Sequence, residues 1–191
     1  MLIAFFVSHV VADAMAQSGA TPAAIPIAER VQACAGCHGA DGNSVTPGIP
    51  SLAAQPKIFV ENTLVLVREG MRGNAVMQGL MKGITDREIG AIAAHFAALP
   101  AKSSPGEPDQ TLMQKGRALS GKLRCGSCHL ANLRGREQMP RLAGQREDVL
   151  HIKLIAFRDK PPPGTDTIMN ATLYGVSDAE IKALAHFMAH L

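Results

Sequence analysis

All four cysteines of this 191-residue chain fall in two C-x-x-C-H motifs, Cys34-Ala35-Gly36-Cys37-His38 and Cys125-Gly126-Ser127-Cys128-His129. Thiol pairs at this spacing can close a disulfide, share a four-thiolate metal site, or attach a haem covalently. A zinc site would need both motifs to converge and would leave the two histidines without a role. A thioredoxin-like redox pair would want a βαβ setting, which the sequence lacks. Covalent haem attachment uses every residue: the thiols become thioethers on the haem vinyl groups, and the adjacent histidine is placed to ligate iron.

The motifs belong to a longer internal repeat. Ile49-Pro50-Ser51-Leu52-Ala53-Ala54-Gln55 recurs as Met139-Pro140-Arg141-Leu142-Ala143-Gly144-Gln145. Met77 recurs as Met169, and Ile84-Thr85-Asp86-Arg87-Glu88-Ile89 as Val176-Ser177-Asp178-Ala179-Glu180-Ile181. Order is preserved and the offset stays between 90 and 92 residues. The chain is two copies of one unit, with the proline-rich stretch 100–108 between them.

Haem iron needs a second axial group, and a thioether satisfies it while raising the reduction potential. Met77 and Met169 hold matched positions, eight residues ahead of Thr85 and Ser177 respectively, and are read as loop residues before the last helix of each unit. Met81 is the competing ligand of the first unit, since its counterpart is Leu173. Met71, Met81, Met113, Met139 and Met188 otherwise read as core fillers. The carbonyls of Pro50 and Pro140 could accept a hydrogen bond from the second ring nitrogen of the preceding histidine. Ordinary turn prolines would fit equally well. His95, His151, His186 and His190 are unpaired between repeats and read as surface or helix-face residues.

The elements that must position these groups read as helices. Thr85 and Ser177 each cap a helix with glutamate three residues on, the capping-box arrangement. Ile89, Ile92, Ala93, Phe96 and Leu99 keep helical spacing, as do Ile181, Leu184, Ala185, Met188 and Leu191. Further helices are expected over Ala28 to Cys34, Phe59 to Arg68, Leu112 to Leu119 and Val149 to Arg158. No alternating strand pattern occurs, so the fold class is all-α. Units of this size gain from a bound group in the core. The composition agrees: 47% hydrophobic yet 4% aromatic, with no tryptophan, as though something other than rings fills the interior.

The formal charge is +3. Residues 17–100 balance six basic against six acidic groups, whereas 101–191 carry thirteen against nine. The basic residues are dispersed and unaccompanied by aromatics, which excludes a nucleic-acid footprint. Lys122, Arg124, Arg134, Arg136, Arg141 and Arg146 cluster around the second motif and could steer acidic partners; a merely solvated basic surface fits them equally well. The apolar run Met1 to Val11 followed by Ala14-Met15-Ala16 reads as a signal peptide over 1–16, although no basic residue precedes it. The run is too short to span a bilayer. The expected organisation is a signal peptide (1–16), a first domain (17–100), a linker (101–108) and a second domain (109–191), exported to the periplasm.

Taken together, the motifs resemble the diheme c-type cytochromes of the cytochrome c4 family, two class I cytochrome c domains in tandem. The likeness rests on Cys34 to His38 with Gly39-Ala40-Asp41-Gly42-Asn43-Ser44, on Pro50 to Gln55, Met77-Gln78-Gly79 and Thr85-Asp86. In the second unit it rests on Cys125 to His129, Pro140 to Gln145, Met169 and Ser177-Asp178. The resemblance implies covalent haem c in each domain through Cys34, Cys37, Cys125 and Cys128. It implies axial ligation by His38 with Met77 and by His129 with Met169, and carbonyl bonds from Pro50 and Pro140 to the histidines. It also implies pseudo-twofold pairing of the domains. The second unit departs after its motif (Leu130 to Arg136) and before its methionine, where Lys160-Pro161-Pro162-Pro163 replaces Gly70-Met71-Arg72-Gly73.

An iron with both axial positions filled by protein transfers single electrons and binds no small substrate. The expected function is therefore a periplasmic electron carrier between redox proteins, from a dehydrogenase or membrane quinol-oxidising complex to a terminal oxidase or other acceptor, and not an enzyme. Peripheral association with membrane respiratory complexes is compatible with this role. Two other roles remain: a cytochrome subunit of a sulfide- or thiosulfate-oxidising dehydrogenase complex, and a haem enzyme with one labile methionine.

Overall fold

The computed structural model describes residues 25–165 and 167–191; the expected signal peptide lies outside the described residues. Nine helices and no strand occur among them, the only extended pairing being an isolated bridge between Arg136 and Met139. In the first unit these are α1 (Ile27–His38), α2 (Lys57–Arg68), α3 (Ala75–Met81) and α4 (Asp86–Ala97). The second has α5 (Gln110–Lys122), α6 (Gly126–His129), α7 (Glu147–Asp159), α8 (Thr167–Leu173) and α9 (Asp178–Ala189).

Each unit packs its last helix against the others. Helix α4 lies on α1 and α2, and α9 lies on α5 and α7. Both start from complete capping boxes: the Thr85 hydroxyl accepts from the Glu88 amide while the Glu88 carboxylate accepts from the Thr85 amide, and Ser177 and Glu180 repeat this. From those starts the helical stripes turn inward. Ile89, Ile92, Ala93 and Phe96 are buried with Val60, Leu64 and Val67 of α2. Ile181, Leu184, Ala185 and Met188 are buried with Leu150 and Leu154 of α7. Each aliphatic side chain so buried stabilises the fold by about 1.5–3 kcal/mol before entropy is counted.

Two features differ from the expectation. Met77 and Met169 lie on short helices, α3 and α8, and not in loops. These helices have seven residues each. Packing helps to anchor them, because Met81 and Leu173 at their ends are each 2% exposed within their cores. The C-x-x-C-H segments also differ between units. The first is continuous with α1, whereas Arg124 takes φ 56° and breaks α5, so that the second motif starts a new short helix.

Helices α5 and α9 cross unusually closely at Gly116. A Cβ there would collide with the Ala183 carbonyl oxygen and lie 2.5 Å from the Phe187 Cβ. The residues between α4 and α5 are pinned to both units: the Lys102 amide donates to Asn43 Oδ1 and the Ser104 amide to the Ala189 carbonyl.

Candidate functional site

His38 closes α1 and His129 closes α6; they are 6% and 5% exposed. Their Nδ1 atoms lie 2.7 Å from the Pro50 carbonyl oxygen and 2.8 Å from the Pro140 carbonyl oxygen. A proton on Nδ1 satisfies each bond and leaves the Nε2 lone pair available. Burial lowers the pKa of both rings, and the carbonyl bonds only partly oppose it. Both imidazoles are thus neutral at ordinary pH, the form that ligates metal.

The proline carbonyls are held by matching turns. Leu52 and Ala53 amides donate to the Gly42 carbonyl, and Leu142 and Ala143 amides donate to the Leu133 carbonyl. Asn43 in the first unit adds a turn of its own, its amide donating to Asp41 Oδ1 at 3.0 Å. The chain leaves the first motif through Gly39 at φ 88°, where a Cβ would lie 2.5 Å from the Asn43 carbonyl oxygen. Leu130 occupies that position in the second unit, at φ 67°.

Met77 and Met169 are half-buried and pack against the two cores, next to α2 and α7 respectively. Met81 is enclosed entirely within the first core, which makes it a structural residue like its counterpart Leu173. Asn74 caps α3 by accepting from the Met77 amide, and Asn170 anchors α8 by donating to the Phe157 and Arg158 carbonyls.

Cys34 and Cys125 are half-buried, Cys37 and Cys128 exposed, and none is joined to another. Burial pushes the Cys34 and Cys125 thiols up. The four sulfurs do not converge. Among the described residues the one cluster of metal-ligating groups is Glu147, His186 and His190, so the zinc alternative finds no geometry here. Each of its three residues already makes a hydrogen bond. His186 Nδ1 bonds Glu147 Oε2 at 2.9 Å, its Nε2 accepts from the Asp109 amide at 2.9 Å, and His190 Nδ1 donates to the His186 carbonyl. His186 lies on α9 and is 8% exposed: it is a helix-face residue, but a buried one, which corrects the surface reading. It ties the starts of α5 and α7 to α9, and its lack of a repeat partner hid this role.

A group bearing carboxylates fits the residues present. Arg72 Nε is the sole buried side-chain nitrogen or oxygen without a hydrogen-bond partner among the described residues. Burial lowers its guanidinium pKa, and a buried N–H left without an acceptor is costly. The segment carrying it leads directly into α3: the Arg72 carbonyl accepts from Gln78 Nε2, and a Cβ on Gly73 would touch both Val67 and the Met77 Cβ. A haem propionate is the kind of partner this nitrogen lacks. His38 and Met77, and likewise His129 and Met169, offer one nitrogen and one thioether per unit, the donor set of a low-spin haem.

The two units also clasp each other beside these histidines. Gln145 Oε1 accepts from the Ser51 amide at 2.8 Å and its Nε2 donates to the Ser51 carbonyl at 2.9 Å. Gln55 does the same to Arg141, at 3.0 Å and 2.9 Å. Arg146 adds a bond to the Ser44 carbonyl, and Asp148 accepts from the Gly48 amide. Burial would raise the Asp148 pKa, but hydrogen bonds from Arg146 and Gly48 outweigh it and the group stays below its usual value. The repeat displays the two glutamines in sequence but gives them no role there. Two amide side chains at matched positions of the repeated segment were the available signal.

Comparison with known proteins agrees with this duplication. The family profile "Cytochrome c" matches residues 113–191, and "Cytochrome C oxidase, cbb3-type, subunit III" matches residues 28–96. The chain is 31% identical over 169 residues to cytochrome c4 of Pseudomonas aeruginosa, covering 83% of each protein. It is 31% identical over 194 residues to a thiosulfate dehydrogenase electron acceptor of Stutzerimonas stutzeri, covering 92% of this chain and 83% of that one. The crystal structure of reduced recombinant cytochrome c4 from Pseudomonas stutzeri superposes with a TM-score of 0.77 at 29% identity, over 86% of this chain and 96% of the other.

Proposed function

The chain belongs to the cytochrome c4 family of diheme electron-transfer proteins, and from that premise we propose how it carries electrons and with which of its residues. Two covalent haems c supply a one-electron couple in each unit. Cys34, Cys37, Cys125 and Cys128 hold them as thioethers. His38 with Met77 and His129 with Met169 would ligate the two irons. Residues 17–100 and 109–191 are the two domains, joined by 101–108. The observation that carries the assignment is the duplicated geometry of His38 on Pro50 and His129 on Pro140 at 2.7 and 2.8 Å, each with a half-buried methionine at the repeat-matched position.

The residues do three things for electron transfer. The carbonyl bonds fix the ring orientation and basicity of the two histidines. The apolar packing around Met77 and Met169 keeps the thioethers in place, so that neither site opens to a substrate and the protein acts as a carrier, not an enzyme. The exposed cations Lys122, Arg124, Arg134 and Arg136 steer acidic redox partners towards the second unit. Arg141 and Arg146, grouped with them in the sequence, serve the interior instead: Arg141 Nε donates to the Ala143 carbonyl, and Arg146 pairs with Asp148. Electron-transfer rates that fall with added salt support steering; salt-independent rates remove it.

The setting is the periplasm, in keeping with haem motifs following an expected signal peptide. Among the described residues no helix is long and apolar enough to cross a membrane. Likeness to an electron acceptor of thiosulfate dehydrogenase favours one second reading, in which the donor is a thiosulfate-oxidising enzyme. Reduction of the chain by such an enzyme and thiosulfate, without a mediator, distinguishes this donor from others.

The deciding experiment is optical and magnetic spectroscopy with haem quantification. Two low-spin haems c per chain, both with the methionine–iron band of the oxidised protein, are expected. A single haem, or a high-spin component that readily takes cyanide, overturns the assignment.

A further inference from the structure

The clasp between units reaches the peptide groups on which the histidines depend. The Pro50–Ser51 peptide accepts from His38 Nδ1 through its oxygen at 2.7 Å, and through its N–H donates to Gln145 Oε1 of the other unit at 2.8 Å. The Pro140–Arg141 peptide is used in the same way, by His129 at 2.8 Å and by Gln55 Oε1 at 3.0 Å. We infer that Gln145 sets the redox equilibrium of the first unit's haem and Gln55 that of the second, each acting across the domain interface through one polarised peptide. This rests on His38 and His129 being the iron ligands.

The physical route is short. An acceptor on a peptide N–H increases the electron density on the oxygen of the same peptide, because hydrogen bonds in a chain polarise one another, and low local dielectric strengthens the effect. His38, Ser51, Gln55, His129 and Gln145 are all 5–8% exposed. A carbonyl richer in charge draws more strongly on the Nδ1 proton, which makes the opposite nitrogen a better donor to a metal. A more basic imidazole favours the ferric state. Both bonds of each amide are committed to the partner unit, so its orientation is fixed: reversing Gln145 would set its NH₂ against the Ser51 N–H and its oxygen against the Ser51 carbonyl. Gln145 Oε1 additionally accepts from the Arg146 amide at 3.0 Å, which Gln55 Oε1 does not do for its own neighbour. The glutamines are positioning residues, and neither touches the haem iron.

The test is Gln145→Met, which keeps an unbranched side chain of similar length and removes the acceptor, alongside Gln55→Met. Haem content and the low-spin spectrum are measured first on the unmodified protein, so that a failure of ligation is seen separately from a failure of coupling. Potentials of the two haems are then resolved by redox titration followed by proton NMR, with the haem methyl resonances assigned to each unit. Gln145→Met is expected to shift the first unit's haem about threefold towards the reduced form, about 30 mV for one electron, and to move the His38 Nδ1–H resonance upfield. The second haem stays in place. Gln55→Met does the converse. A shift on the mutated unit's own haem, equal shifts on both, or changes under about 1.5-fold overturn the inference. Should Gln145→Met fail to take up two haems, Gln145→Glu retains shape and acceptor; its ionised carboxylate is expected to shift the first haem towards the oxidised form selectively, and an unselective shift counts against the inference.

Discussion

Gly135 stands against Pro140 so closely that a Cβ on it would lie 2.5 Å from the Pro140 carbonyl oxygen, the atom on which His129 rests. Its φ of 71° adds a second reason for glycine. The first unit has Ser44 at the matching position, and its amide donates to Ser51 Oγ. Gly135→Ala must therefore displace the carbonyl or distort the turn. We expect a loss of about 2 kcal/mol, read by denaturant unfolding, and a changed potential for the second haem alone. An unchanged second haem would show that the turn absorbs the methyl group without moving Pro140.

The crossing of α5 and α9 gives a paired test. Gly116→Val forces backbone apart where the Ala183 carbonyl and Phe187 Cβ face it, and about 3 kcal/mol should be lost, at the upper end of overpacking costs. Gly121 lies on the same helix, and a methyl group added there would meet nothing within 4 Å. Gly121→Ala should stabilise by about 0.5–1 kcal/mol through helix propensity. Thermal melts of both variants read the contrast directly, and equal effects would exclude close packing as the cause.

A pH prediction follows from Asp41. The Lys102 ammonium, 2.6 Å away, and the Asn43 amide pull its carboxyl down to about 2. A carboxylate with a depressed folded-state pKa contributes stability above its unfolded value, near about 4, and loses it as pH falls towards about 2. Asp41→Asn should thus melt below the parent protein at about pH 6, and the gap should close on acidification through that window. Raised salt should shrink the gap near neutrality, because the pair is exposed. Glu88 and Glu180, also held low by their capping partners Thr85 and Ser177, keep their own acid sensitivity in the variant.

How much of this was legible in the sequence depends on whether a signal was local and repeated. Thr85 with Glu88 and Ser177 with Glu180 announce their helices because a capping box is written in four consecutive residues. The histidine and cysteine positions are legible for the same reason, and the pairing of Met77 with Met169 follows from an offset that stays between 90 and 92 residues. Helices α3 and α8 were not legible, since they are too short for periodicity and depend on the burial of Met81 and Leu173 by α2 and α7. His186 was missed because Ala94 stands at its matching position, so that repetition, the strongest guide available, pointed away from it. The glutamine clasp joins residues 86 to 94 apart, and only the docking of two units reveals what such amides bind.

Arg72 carries the last prediction. Its Nε is buried without a partner, while the second unit has Gly164 at the matching distance before Met169 and no cation in its place. If a propionate of the first haem completes this cation, the first haem has a nearby positive charge that the second lacks. Positive charge disfavours the ferric state, so Arg72→Met, which keeps the apolar stem, should lower the first potential. A partly screened unit charge contributes on the order of 1 kcal/mol, about 40 mV for one electron. The potential of the second haem should stay where it is. The pH dependence of the first potential is the sharper readout: without the guanidinium the propionate ionises at higher pH, so the redox-linked proton uptake should move upward in the variant. A first haem whose potential and pH profile match the parent's would place the guanidinium away from the propionates.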